Sequence, residues 1–479
     1  MSRLTETTVR GLAPALRPLV DLGSLEPRIV HFGLGAFHRA HQAVYTEAVA
    51  ARTGEPWGIA VVAPRSEIQV TALRDQDFLY SLTERHPDGP RTRVIGSLVD
   101  ALAMRRDAAA VDALLTAPTT TVVTLTVTEK GYHRRPGTFD LDTTAPEIAA
   151  DLVAAAGDQR TVVARLASGL AARYRANGAP VSVVSCDNAT ANGAVLRGVV
   201  RGFVEASPWP DRSAVLSWLD ESVAFPSSVV DRIVPATTDE DERAALLALG
   251  LDDRTPVVGE PYRQWVLEDS FAAARPPWEL DGAVITPDVA PYQLMKLRLL
   301  NGSHSALAYL GLAAGHRTVR EVMHTRWGER FVRDFGAEVA GTLPEGGPDA
   351  AGYVDDLVRR LCNPAMRHLL RQIGSDGSLK IPERWFGPLR EARTATPLLE
   401  LALAGWVNST RPDDRDPVFG TTDPLADGLA RCWYDRPDHV DLVVRLLHLV
   451  GAPDLAERDD LTKAVAARLP ALRAGRVEL

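Results

Sequence analysis

The chain has 479 residues, 46% of them apolar, and a formal net charge of -9, which is length enough for two or three domains with cores of their own. The acidic balance excludes sequence-independent nucleic-acid binding, which needs a basic surface to release phosphate counterions. Three scattered cysteines, Cys186, Cys362 and Cys432, exclude a disulfide framework and a paired-cysteine zinc site, so a reducing cytoplasm and no metal centre are expected. No signal-peptide core opens the sequence, and no apolar run nears the roughly 18 residues of a membrane span.

The first predicted element is the strand that opens RIVHFGLGAFHRAHQAVYTEAVAA. Its β-branched run enters a glycine turn at Gly33 and Gly35 and continues as a helix-like stretch, the entry to a Rossmann-type βα unit. The first glycine permits the tight turn and the second lets a pyrophosphate approach the backbone. Gly33, Gly35, Phe37 and Arg39 are therefore the candidate cofactor loop, with His38 in place of the usual third glycine. A plain βα turn would use the same glycines, and Arg39 would then be a surface cation. The next strand, Trp57 to Pro64, runs into APRSE, where Glu67 is placed to hold an adenosine ribose and Arg65 to welcome a 2′-phosphate. The acidic residue favours NAD.

Further strands are predicted over Thr119 to Glu129 and Ala179 to Asn188, separated by helical patterns such as TVVARLASGLAARYRANG, closed by Gly178. Strand and helix in alternation imply a doubly wound parallel sheet, and such sheets take ligands at the carboxyl ends of their strands. Those ends carry Thr128 and Glu129 on one strand and Asp187 and Asn188 on another, with Asn192 beyond. The structural alternatives are a solvated loop carboxylate and an Asx turn. In FPSSVVDRIVPA, Asp231 adjoins Arg232 within an apolar run, a pair that is either structural or substrate-binding.

The composition changes near residue 285, dividing the chain into a Rossmann-type domain over 1–285 and a mostly helical domain over 286–479. In MKLRLLNGSHSALAYLG, Lys296, Asn301 and His304 fall in one apolar helical segment. At α-helical spacing Asn301 lies about 140° and His304 about 80° around from Lys296, so one arc can carry all three. A lysine drawn into an apolar face beside other polar groups suggests a tuned base. Beyond the Pro/Gly-rich loop LPEGGPDA, the segment SDGSLKIPERW adds Lys380 and Arg384, and a charged loop is expected from Arg411 to Gly428.

Taken in order, HFGLGAFHRAHQAVYTE, TLTVTEKGY, SCDN…NG, FP..VVDRIVPA, EPYRQWVLED and MKLRLLNGSHSALAYLG resemble the polyol-specific long-chain dehydrogenase (mannitol dehydrogenase) family over most of the chain. The resemblance implies a metal-independent, NAD-dependent, monomeric oxidoreductase. Lys296 would be its general acid/base, Asn188 and Asn301 the amides that stabilise a developing alkoxide, His304 the group that orients a substrate hydroxyl, and Asp231 an active-site carboxylate. It also implies a small sugar, polyol or uronate as substrate, most closely fructuronate and D-mannonate, with D-mannitol and D-fructose or another polyol as the alternative. A uronate carboxylate would need a cation, for which Arg298, Arg371, Lys380 and Arg384 are available. Gln372 stands where mannitol 2-dehydrogenases carry arginine, and two features depart from both subgroups: Gln293 stands where glutamate is frequent, and VVDR replaces a methionine-containing form. A catalytically silent NAD-dependent sensor is the competing reading from another class.

Overall fold

Strands that are apolar at consecutive positions need cover on both faces, and the first half of the chain provides it around a six-stranded sheet. The computed structural model describes residues 2–479 apart from Ala156, Arg367, 413–418 and Arg436, so part of the loop expected from Arg411 to Gly428 lies outside the described residues. Two compact units follow one another, Met1–Val289 and Ala290–Leu479.

In the first unit the central strands are β1 (Glu26–Phe32), β2 (Trp57–Ala63), β3 (Leu98–Ala103), β4 (Val122–Leu125), β5 (Val181–Ser185) and β6 (Val223–Ala224). All pair in parallel, in the order β3-β2-β1-β4-β5-β6. This is the doubly wound Rossmann order, with its switch point between β1 and β4. Alternate residues feed two cores. Val30, Phe32, Val123 and Leu125 point to one, while Ile29, Ile59, Val61 and Val122 point to the other.

The helical stretch expected after the glycine turn is broken. A short helix, Ala36–Ala40, ends at His41 (φ -127°, ψ -87°) before Gln42–Thr53 begins. The strand expected from Thr119 to Glu129 is confined to β4, because the Asp187 carboxylate captures the N–H groups of Val127 and Thr128. Gly178 lies one residue beyond the C-cap of Val162–Ala176, at φ +62°, where only glycine is unstrained. Two three-stranded sheets had no counterpart in the sequence reading. One joins Val257–Gly259 to the hairpin Tyr80–His86 and Gly89–Ile95; the other joins Val284–Thr286, Gln264–Glu268 and Ser228–Asp231.

The second unit is helical, built around Gly302–Ala313, whose neighbours include Gly328–Ala340, Pro397–Ser409 and Asp459–Arg473. Leu307, Leu310, Phe335, Leu403, Trp406 and Val465 meet in its core. Among the described residues no helix is long and apolar enough to cross a membrane.

A run of imidazoles lies inside the first unit. His31, on β1, bridges the hydroxyls of Thr124 (2.6 Å) and Thr126 (2.8 Å) across the switch point and stacks on His38 with ring centroids 3.4 Å apart. His41 contacts the carbonyl of Gln264 at 2.8 Å. All three are fully buried, and burial lowers their pKa, to about 3 for His38 and His41 and well below the usual value for His31. The folded protein holds them neutral, whereas the unfolded chain protonates them below about 6.5, so their contribution to stability is present above that pH and is lost as the pH falls. Urea unfolding should accordingly report a lower free energy at pH 5 than at pH 7, by about 2 kcal/mol for each of the three. A flat profile over that interval would show that they are not buried neutral.

Candidate active site

The end of β1 presses against the end of β4. A Cβ on Gly33 would lie 2.5 Å from the carbonyl oxygen of Thr126, and its φ of +125° is open only to glycine. Two residues on, Gly35 is exposed and no heavy atom comes within 4 Å of where its Cβ would stand. The turn is thus tight underneath and open above, at the switch point where doubly wound sheets bind ligands. Phe37 is half-buried and stacks on His41 with centroids 5.0 Å apart.

Arg39 requires a correction. Its side chain is buried, donates to the carbonyl of Thr255 and lies over the Tyr80 ring at 5.4 Å, so it braces the core and is not a cation at the phosphate loop. Glu67 opens the helix Glu67–Arg74 that follows β2; it is exposed, and its carboxylate meets Arg106 at 3.1 Å.

Beyond β4, Thr128 adopts φ +70° and ψ +157°, a region that is essentially reserved for glycine and costs roughly 1–3 kcal/mol. Asp187 holds it there, accepting from the N–H of Thr128 at 2.9 Å, from that of Val127 and from the Tyr132 hydroxyl at 2.8 Å. Burial nevertheless raises the Asp187 pKa. On the far side of the loop the Asn192 carboxamide donates to the carbonyls of Asp187 (3.0 Å) and Ser228 (2.9 Å) and accepts from the N–H of Ser228. Asp187 and Asn192 are therefore framework, and exposed Asn188 is presented between them, while Thr128 and Glu129 lie exposed on the loop that Asp187 shapes. Asp231 ends the strand Ser228–Asp231 and is buried. Its neighbour Arg232 bonds the Glu84 carboxylate at 2.5 Å and the carbonyl of Glu260, so that guanidinium is structural.

In the second unit the helix expected through Lys296 opens as a π turn, Lys296–Asn301, before the α-helix Gly302–Ala313. The N–H of Gly302 reaches back five residues to the carbonyl of Leu297. This revises the α-helical angles: a turn closed i→i+5 holds more than four residues, which brings Asn301 round toward the Lys296 side of the helix, and His304 follows three residues later. Lys296 is 9% exposed, and Asn301 and His304 are partly buried.

A second π turn, Pro382–Phe386, braces the first. Trp385 donates to the carbonyl of Gly302 at 3.2 Å, and Arg384 donates to the carbonyl of Asn301 at 3.3 Å and to the Ser305 hydroxyl at 2.5 Å. Lys380 donates to the carbonyl of Ser375 at 2.7 Å. His304 lies in the field of His368, Arg384, Arg360 and Lys380, and burial together with those charges lowers its pKa to about 3, so it acts as a neutral imidazole.

Two other candidate cations are engaged elsewhere. Arg298 forms a two-point pair with Glu391 (2.7 and 2.8 Å) and donates to the carbonyl of Thr342 at 2.6 Å, which neutralises its charge inside the protein and removes it from the substrate candidates. Arg371 is exposed and lines a cleft of about 600 Å³ with Leu312, Arg317, Phe419 and Thr422, none of which belongs to the Lys296–His304 face. The sequence reading passed over His31, Tyr132, Arg360 and His368. His31 alone carried a signal, a polar residue at a buried position of an otherwise apolar strand.

Removing the Asp187 carboxylate should let the Thr128 loop relax. Asp187→Ala is expected to cost about 2–3 kcal/mol by chemical denaturation, through the lost charged hydrogen bonds, whereas Thr128→Gly should gain up to about 1 kcal/mol. A destabilised Thr128→Gly would show that the backbone there is not strained.

Both units have counterparts in known proteins. Residues 27–280 match the mannitol dehydrogenase Rossmann domain, and residues 288–473 the mannitol dehydrogenase C-terminal domain. The D-mannonate oxidoreductase of Escherichia coli strain K12 is 36% identical over 96% of both chains. A crystal structure of D-sorbitol dehydrogenase in substrate-free form superposes with TM-score 0.89 at 29% identity, covering 99% of this chain and 100% of that one. The Pseudomonas fluorescens mannitol 2-dehydrogenase, in ternary complex with NAD and D-mannitol, superposes with TM-score 0.79 at 33% identity, covering 98% and 97%. With both halves matched in order, the chain belongs to the mannitol dehydrogenase family.

Proposed function

We propose that this protein is an NAD(H)-dependent oxidoreductase that interconverts a keto sugar acid and its alcohol, D-fructuronate and D-mannonate. The observation that carries the reading is the π turn and following helix that bring Lys296, Asn301 and His304 together in one half-buried segment, with Arg384 and Lys380 in the field of His304. Further support comes from the likeness to D-mannonate oxidoreductase along nearly the full length of both chains.

NAD, when bound, supplies the acceptor or donor of hydride. The first unit offers it a fitting cradle: Gly33 and Gly35 give the pyrophosphate a tight, open turn, Glu67 suits an adenosine ribose, and Phe37, Thr128 and Glu129 flank the strand ends. In the oxidation direction the substrate hydroxyl gives its proton to the Lys296 Nζ as its carbon loses hydride; in reduction the ammonium returns that proton to the carbonyl oxygen. The Asn301 carboxamide donates to the oxygen while it carries negative charge. His304, neutral, exchanges a hydrogen bond with a further hydroxyl. Asn188, beyond β5, contributes a carboxamide and Asp231, at the end of a strand of a three-stranded sheet, a carboxylate. Arg384 and Lys380 are the cations assigned to the substrate carboxylate.

A second reading, D-mannitol and D-fructose, is favoured by the likeness to mannitol 2-dehydrogenase. Initial rates with fructuronate, tagaturonate, fructose, mannitol and arabinitol, each with both nicotinamide cofactors, separate the two. Fructuronate with NADH is expected to give the highest kcat/KM. Rapid fructose reduction with none of fructuronate would overturn the substrate assignment, and absence of turnover throughout would leave the sensor reading. Lys296→Ala should lower kcat by about 10²–10⁴-fold at unchanged melting temperature.

A further inference from the structure

Beside His304 stands a second imidazole with no role in the reaction as described. The His304 and His368 rings lie with centroids 5.5 Å apart and planes at 66°. On each ring Nε2 is buried and has no hydrogen-bond partner among the described residues. His368 is also held in place. Its carbonyl accepts from the N–H of Val319 at 3.0 Å, the N–H of Leu370 donates to the carbonyl of Arg317 at 3.0 Å, and Thr318 and Leu369 pair as an antiparallel bridge. That clasp ties His368 to the segment following Gly302–Ala313, the helix that carries His304.

The charged groups around the pair are committed differently. Arg384 bonds Ser305 and the carbonyl of Asn301, Lys380 bonds backbone carbonyls, and Arg360 lends its charge to the surroundings of both imidazoles. Burial, reinforced by Arg360, lowers the pKa of His368 to about 4, and burial with all three cations lowers that of His304 to about 3, so both rings are neutral at working pH. A neutral imidazole has one nitrogen that donates and one that accepts. Two such rings with open Nε2 atoms match a group that both donates and accepts, which among sugar substituents is a hydroxyl.

The geometry points to His304 and His368 as a two-imidazole site for one secondary hydroxyl of an open-chain sugar or sugar acid, one Nε2 donating to its oxygen and the other accepting its proton, with His368 a specificity-determining residue. The inference rests on the dehydrogenase reading above and adds a substrate contact to it. A site built to bond a hydroxyl rejects the analogue that lacks it far more strongly than an apolar pocket does.

The test uses the full chain, its preferred keto substrate and the monodeoxy analogues of that substrate away from the reacting carbon. Wild type should discriminate against one analogue by about 10²-fold or more in kcat/KM. His368→Phe should lower kcat/KM for the parent, chiefly through KM, and largely erase discrimination against that analogue alone; His368→Asn, which keeps a donor and an acceptor, should restore part of it. An equal loss for every substrate, or no change in discrimination, would make His368 a packing residue and overturn the site. Melting temperatures accompany each variant, and His368→Asn carries the comparison should the phenylalanine destabilise the fold. Absence of wild-type turnover with any sugar would instead overturn the underlying reading and the site with it, so the two failures are distinct.

Discussion

The π turn at Lys296–Asn301 is the constraint on which the candidate chemistry depends. An α-helix would rotate Asn301 well away from Lys296, whereas a turn closed across five residues brings it round toward the same side. Such a turn packs less regularly than an α-turn and persists only where its surroundings hold it. Here the support is a second π turn, from which Arg384 and Trp385 donate to the carbonyls of Asn301 and Gly302. The same arginine that borders the polar face therefore maintains the backbone shape that creates it. Under the proposed assignment of Arg384 to the substrate carboxylate, a change there would act on backbone shape and recognition together.

The sheet unit solves a comparable problem by other means. Its strand ends carry backbone in unusual conformations, and side chains that follow β5 supply the hold: Asp187, just past the strand, for the Thr128 loop and Asn192, at the start of the next helix, for the path between Ser185 and Ser228. His31 ties β1 to β4 through two threonine hydroxyls just below the glycine turn. Among the polar groups after β5, Asp187 and Asn192 fix backbone, and Asn188, between them, is exposed.

Much of this architecture was legible from residue patterns. Apolar runs such as Trp57–Ala63 and Val181–Ser185 require two covered faces, and that requirement leads to a doubly wound sheet. The hairpin Tyr80–Ile95 escaped notice because its strands carry many charges, although Pro87-Asp88 between them is a turn sequence and Gly89 after it takes φ +134°. SLVDALA reads as helix by composition, yet Leu98–Ala103 is an edge strand paired with β2, tertiary context outweighing propensity. The grouping of Lys296, Asn301 and His304 was visible, but not the turn that aligns them, since KLRLLN has no residue that forces a five-residue turn. Arg39 was misread because one motif position does not reveal whether a cation finds its partner in the core, as this one does at Thr255. His368 lies far along the chain from His304 and meets it only through the Thr318–Leu369 bridge, which no local pattern announces.

Charge decides which cation can serve a carboxylate in the second unit. Arg298 is nearly buried and its charge is met by Glu391 at two points, so a second anion there would face a neutralised pair. Arg384 instead spends its hydrogen bonds on a hydroxyl and a carbonyl, and no carboxylate among the described residues lies within ion-pair distance of it. Burial lowers its pKa, the mark of a charge held in a poor solvent without a counter-ion. Lys380 is similar, its nearest carboxylate, Asp376, standing 3.9 Å away. In a chain whose net charge is -9, these under-compensated cations form a local exception, and an anionic substrate would relieve their cost where a neutral polyol would not. The neutrality of His304 and His368 follows first from burial, to which Arg384, Arg360 and Lys380 add at His304 and Arg360 at His368, and it leaves both imidazoles able to accept as well as donate. Under the proposed assignment, the cations that would draw in a carboxylate thus also help to keep the His304 imidazole in its hydroxyl-binding form.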